Sequence, residues 1–222
     1  MIRILLRAWE LIAWIQVFQE FTSIISTQLL RRPPTATPEQ SFEPYQTFSI
    51  TDASLYPVTK PAFVDLLEAN SHLILAELEQ LTINRFTSWG EQYPDQTGWH
   101  TFSFYTYGLK LENNCRSCLA TAQLLDNVPN LVTARFAVLT PGTYLTRQST
   151  QPNGLLCCHL GLMIPEQCGI QIAHMQQTWH QGKCLIFDNA VEHTVWNWND
   201  DVHAVLSIEF KASQELFEHN TS

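Results

Sequence analysis

Leu155-Leu156-Cys157-Cys158-His159-Leu160-Gly161-Leu162-Met163-Ile164 is the stretch on which the fold turns. In an extended strand successive side chains point to opposite faces. Leu156, Cys158, Leu160, Leu162 and Ile164 then make one wholly apolar face, while Cys157, His159, Gly161 and Met163 make the other. A strand with two such unlike faces separates an apolar layer from a second environment, and His159 enters the second.

Outward from this strand the same grammar repeats. Short β-prone runs occupy 101–108, 131–139, 169–173, 184–187, 193–197 and 203–210, with one helical interruption over 117–125. Strands of this length separated by turns indicate a sandwich or barrel. On the last run, parity sets Val202, Ala204, Leu206, Ile208 and Phe210 against His203, Val205, Ser207 and Glu209, so His203 shares a lumen with His159. Residues 179–196 read as a strand, a tight polar loop and a strand opened by His193. A histidine at a strand mouth beside Asp188 and Glu192 is a candidate metal ligand, since imidazole suits iron and zinc and a neighbouring carboxylate can ligate or orient it.

Upstream, residues 62–81 place Phe63, Leu66, Leu67, Ile74, Leu75, Leu78 and Leu81 at helical spacing after Pro61, which predicts an amphipathic helix buttressing the sheet. Residues 1–33 carry a second amphipathic pattern, through Leu5, Trp9, Ile12, Ile15 and Phe18. Arg7, Glu10 and Glu20 interrupt its apolar run well short of the ~20 residues a membrane span needs, and Glu10 spoils a signal-peptide pattern. Such a helix packs on the domain or makes peripheral membrane contact through residues 2–30, with Trp9 and Trp14 as interfacial anchors. Arg31-Arg32-Pro33-Pro34 stops it, and 34–60 reads as a linker or irregular wrap before a domain over 61–222 with its core at 99–210.

The formal net charge of −9 and the lack of any basic cluster beyond Arg31-Arg32 exclude a nucleic-acid footprint. Six cysteines without a cleavable leader fit reduced thiols inside a cell better than a disulfide framework, so an intracellular protein is expected. Cys115-Arg116-Ser117-Cys118 has redox or metal spacing but no second ligand pair, and reads as two thiols packing the start of a short helix.

Pro141-Gly142-Thr143, then Cys158-His159-Leu160-Gly161-Leu162 with Pro165, then Gly182-Lys183, Leu185-Ile186-Phe187-Asp188 and Glu192-His193-Thr194-Val195-Trp196 together resemble the aspartyl/asparaginyl β-hydroxylase family. The resemblance implies a mainly β chain with a helical N-terminal part: a double-stranded β-helix, jelly-roll and cupin-like, flanked by helices. It also implies Fe(II) and 2-oxoglutarate as cofactors, and hydroxylation of Asp or Asn side chains or, in relatives, of a lipid acyl chain.

Carried over by position, His193 matches the family's second iron-binding histidine and His159 a histidine that helps hold the co-substrate. The first iron-binding histidine falls at Gln148, and the two co-substrate arginines fall at Cys157 and His203. A dicarboxylate is best gripped by permanently charged, bidentate guanidinium groups, which neither a thiol nor a mostly neutral imidazole reproduces. The expectation is therefore a family member whose Fe(II)/2-oxoglutarate chemistry is lost or strongly altered, a pseudoenzyme binding a ligand or a peptide, lipid or protein partner. The alternatives are an active dioxygenase, with Arg147 or Gln148 compensating or His159, His193 and His203 forming a rewired site, and a scaffold held at a membrane surface by its N-terminal helix.

Overall fold

A computed structural model describes residues 48–51, 54–57, 60–88, 98–147 and 154–211. The helix expected over 1–33 lies outside the described residues, as does Gln148. Strands β1 (Phe48–Thr51) and β2 (Ser54–Pro57) form a hairpin inside the stretch read as a linker or wrap. Two helices follow, α1 (Ala62–Ala69) and α2 (Ser71–Gln80), then a short 3-10 turn at Ile83–Arg85 and β3 (Thr87–Ser88).

The remaining order is β4 (Trp99–Thr106), β5 (Leu109–Lys110), α3 (Glu112–Ser117), α4 (Leu119–Leu125), β6 (Leu131–Leu139), β7 (Thr143–Arg147), β8 (Leu155–Met163), β9 (Cys168–Ile172), β10 (Met175–Gln177), β11 (Cys184–Asp188), β12 (His193–Asn197) and β13 (His203–Lys211). The single helix expected over 62–81 is two, because Asn70 leaves the helical region (φ −109°, ψ 13°) and its side-chain amide donates to the Leu66 carbonyl at 2.8 Å. Asparagine competes with the backbone for such bonds, which makes it a helix breaker. The helix expected over 117–125 is likewise interrupted, at Cys118 (φ −138°, ψ 74°).

Among the described residues the major sheet runs β2-β1-β11-β8-β13-β6-β4-β3, with β5 paired to β4, and a second sheet runs β10-β9-β12-β7. Consecutive strands alternate between the two sheets from β6 to β9 and again from β11 to β13, the winding of a double-stranded β-helix. The fold class read from the sequence is the one observed. Among the described residues, no helix is long and apolar enough to cross a membrane.

Two separate cores follow from strand parity. On the outer face of the major sheet, Leu156, Cys158, Leu160 and Leu162 of β8 and Ala204, Leu206, Ile208 and Phe210 of β13 pack with Phe102, Phe104 and Phe136 beneath α1 and α2. Phe63 of α1 meets Phe210 edge-on at 5.1 Å, and burying each such side chain contributes about 1.5–3 kcal/mol. Between the sheets, Ala137, Cys157, Ile170, Ile172, Trp179, Phe187 and Val205 form the lumen core.

Among the described residues parity is interrupted by three register shifts, at Phe104 on β4, at Val132 on β6 and on β8. Val205 pairs with Gly161 but Ala204 with Met163, so β8 carries an extra residue there. The bulge exchanges the faces beyond Leu162: Met163 packs with the outer core and Ile164 with the lumen, the reverse of simple alternation.

Candidate functional site

The lumen is lined by rows of residues that sit opposite one another across neighbouring strands. One row runs Arg135, Ser207, His159, Leu185 on β6, β13, β8 and β11. The next, towards the end where β12 begins, runs Thr133, Glu209, Cys157, Phe187. At the opposite end His203 faces Leu139. The structure thus brings His159, His203 and Cys157 into one lumen, as their parities require.

His193 opens β12 and joins the same interior through aromatic contacts. Its ring meets Phe187 edge-on at 5.0 Å, and Phe187 meets His159 edge-on at 5.1 Å. His193 Nδ1 lies 2.8 Å from the Val191 carbonyl oxygen. A carbonyl can only accept, so Nδ1 carries a proton and donates it, the second-sphere bond by which metal-bound histidines are commonly oriented. The carboxylates expected to orient this ring do not do so: Asp188 Oδ1 accepts from the Ala190 N–H at 2.8 Å, and Glu192 is exposed.

Trp179, which the sequence reading left without a role, links the other two histidines. It is buried, its indole N–H donates to His159 Nδ1 at 3.3 Å, and its ring centroid lies 4.3 Å from that of His203. Burial pushes the His159 ring well below the usual imidazole range, and the proximity of His193, His203 and Arg135 further disfavours its charged form. Burial alone pushes His203 down to about 3. His203 is fully buried, and neither ring nitrogen has a hydrogen-bond partner among the described residues. At neutral pH it is an uncharged imidazole in an apolar wall.

Cys157 is buried with its Sγ 3.9 Å from Ser207 Oγ, and it packs as a small apolar side chain in the lumen core. Cys115 and Cys118 are buried at the two ends of the α3–α4 junction, and burial raises the Cys118 thiol to about 12. Arg135 was also missed. Its guanidinium pairs with Glu209 at 3.0 Å and lies 5.5 Å from the Trp99 ring centroid, with side-chain exposures of only 11% and 12% for the pair. One lone cation on β6 and one lone anion on the lumen face of β13 were the legible signal.

These residues meet only part of what Fe(II) and 2-oxoglutarate require. His193 has the geometry of one metal ligand. Among the described residues no group of three or more His, Cys, Asp or Glu side chains gathers to hold a metal ion. Cys157 and His203, at the positions where the resemblance sets co-substrate arginines, are a buried thiol and a neutral ring, and the guanidinium in the row is paired with Glu209. The described residues therefore do not fit a doubly charged co-substrate.

Comparison with known proteins places this lumen in a lineage. The chain is 38% identical to the ornithine lipid ester-linked acyl 2-hydroxylase of Rhizobium tropici over 117 residues, 51% of this chain and 42% of that protein. It is 33% identical to the mouse (Mus musculus) aspartate β-hydroxylase domain-containing protein 2 over 146 residues, 60% of this chain and 42% of that one. Each match spans less than half of the relative's length. Among solved structures, a Pseudomonas putida prolyl-4-hydroxylase aligns with a TM-score of 0.43 at 16% identity, covering 68% of this chain and 88% of that one. The aspartyl/asparaginyl β-hydroxylase profile matches residues 68–213, from α1 through β13 and across both retained histidines, and the chain belongs to that family.

Proposed function

We propose that this chain is a family member whose inherited Fe(II)/2-oxoglutarate chemistry is lost or strongly altered, and whose lumen or surface binds a ligand or partner instead. The observation that carries the reading is His203: a fully buried, uncharged ring, neither nitrogen hydrogen-bonded among the described residues, stands where the family resemblance places a co-substrate arginine. Replacing two permanent charges by neutral groups removes the attraction that holds a dianion in a water-poor site, where an unmatched charge is most expensive.

Anaerobic calorimetry with Fe(II) and with 2-oxoglutarate, using His193→Ala as control, tests the reading. It expects neither to bind tightly. Tight binding that His193→Ala abolishes would overturn it.

A second reading is favoured by one feature, the His193 ring held through Nδ1 by the Val191 carbonyl. On that reading the protein is a working 2-oxoglutarate-dependent dioxygenase acting on a peptide side chain or an acyl chain, the latter named for the Rhizobium tropici relative. Its signature is oxidation of a substrate coupled to decarboxylation of 2-oxoglutarate by the Fe(II)-loaded protein.

A further inference from the structure

β4 and β5 are joined by Tyr107 and Gly108, at φ 50° and 79°. Two successive left-handed residues make the tight hairpin turn whose first position favours Asn, Asp or Gly. A tyrosine there works against its own backbone preference. Its ring contributes nothing to either core: Tyr107 is 87% exposed, and Leu109 beyond the turn is 71% exposed. Leu111, at the foot of the hairpin, is exposed as well. Lys110, the hairpin's only cation, is held by Asp126 at 2.6 Å and 2.8 Å, so the projecting tip carries no net charge.

The hydrogen-bond ladder fixes where this tip lies. The Gly108 N–H donates to Val132 at the start of β6, and the Lys211 N–H at the end of β13 donates to Asn130 just before it. Lys211 pairs with Leu155 at the start of β8, and the adjoining Leu156 pairs with Asp188, from which the chain passes to His193. The apolar tip and the His193 end of the lumen therefore share one end of the major sheet.

We propose that the Tyr107–Gly108 tip is an interfacial anchor that seats this end of the molecule on a zwitterionic lipid surface. Tyr107 and Leu109 enter the headgroup region, where an amphipathic ring and an aliphatic side chain are both favoured. A projecting tip needs no matching pocket in a deformable bilayer, whereas a protein partner would have to supply one. The formal net charge of −9 sets anionic lipid against binding. The inference does not depend on whether the lumen retains its chemistry.

The test is flotation of the full chain with phosphatidylcholine vesicles, beside unfolding temperatures. Tyr107→Asn installs the residue this turn prefers, so the unfolding temperature should hold or rise while the floated fraction falls about threefold. Leu109→Asp should reduce it about tenfold. Phosphatidylserine vesicles should capture less protein than phosphatidylcholine. The proposal is overturned if the unaltered chain stays at the bottom, if both variants float as it does, which would move any membrane contact elsewhere, including residues 2–30, or if anionic vesicles bind it better.

Discussion

His203 shows how packing sets the charge of a side chain in the lumen. Strand parity alone placed it in the lumen, but only the packed structure decides its charge, because Trp179 and the lumen wall exclude water from both nitrogens. The folded ring takes up a proton only near pH 3, against 6.5 when unfolded. As pH falls below 6.5 the unfolded chain binds the proton first, so the contribution is intact above the unfolded value and drains away towards the folded one. At pH 5 that penalty is on the order of 2 kcal/mol. His203→Leu should lose less stability than the parent between pH 7.5 and pH 5 by about that amount, read from urea midpoints at the two pH values. Equal losses would mean that His203 stays paired or charged in the folded state. His159 pushes in the same direction, so part of the acid sensitivity should survive in the variant.

Among the elements, the pairing of β13 with β8 and β6 sets which side chains line the lumen, and two close contacts lie along these strands. A Cβ at Gly161 would lie 2.4 Å from the His180 carbonyl oxygen, a backbone atom that cannot step aside cheaply. Gly161→Ala should therefore destabilise the protein by about 1–3 kcal/mol, measured by denaturant unfolding. An unchanged midpoint would mean that the 180–183 turn yields freely. The second feature is the Arg135–Glu209 pair, which bridges β6 and β13 with little exposure on either side. Arg135→Met or Glu209→Leu alone removes half of this little-exposed ion pair, for about 3 kcal/mol, whereas the double variant should lose clearly less than the sum. Additive losses would show the two charges to be independently solvated. The strand runs were legible from residue pattern because alternation is local. The bulge beyond Gly161 was not, because it depends on which residue of β13 finds which residue of β8.

On the scale of the whole molecule, a carboxylate ties helix α1 to the sheet edge at β11. Glu68 of α1 accepts the Cys184 N–H of β11 at 3.0 Å and pairs with Lys183 at 3.2 Å and Lys60 at 3.3 Å. Glu68→Ala should cost about 1–3 kcal/mol by leaving the Cys184 N–H without its acceptor, and amide exchange should quicken at Cys184. Unchanged exchange there would assign the fastening to the apolar contacts of Phe63 and Leu67 instead. The sequence by itself determined the strand runs of a sandwich or barrel and the lumen positions of His159 and His203, because each rests on an alternation of period two, and its resemblance to a known family narrowed the sandwich or barrel to a double-stranded β-helix. Tertiary structure alone decided that Trp179 bridges the two imidazoles, that the Val191 carbonyl holds His193 while Asp188 caps Ala190, and that Arg135 pairs with Glu209. Those contacts join residues far apart in the chain, or depend on how a loop turns, and no local pattern encodes which distant partner a side chain meets.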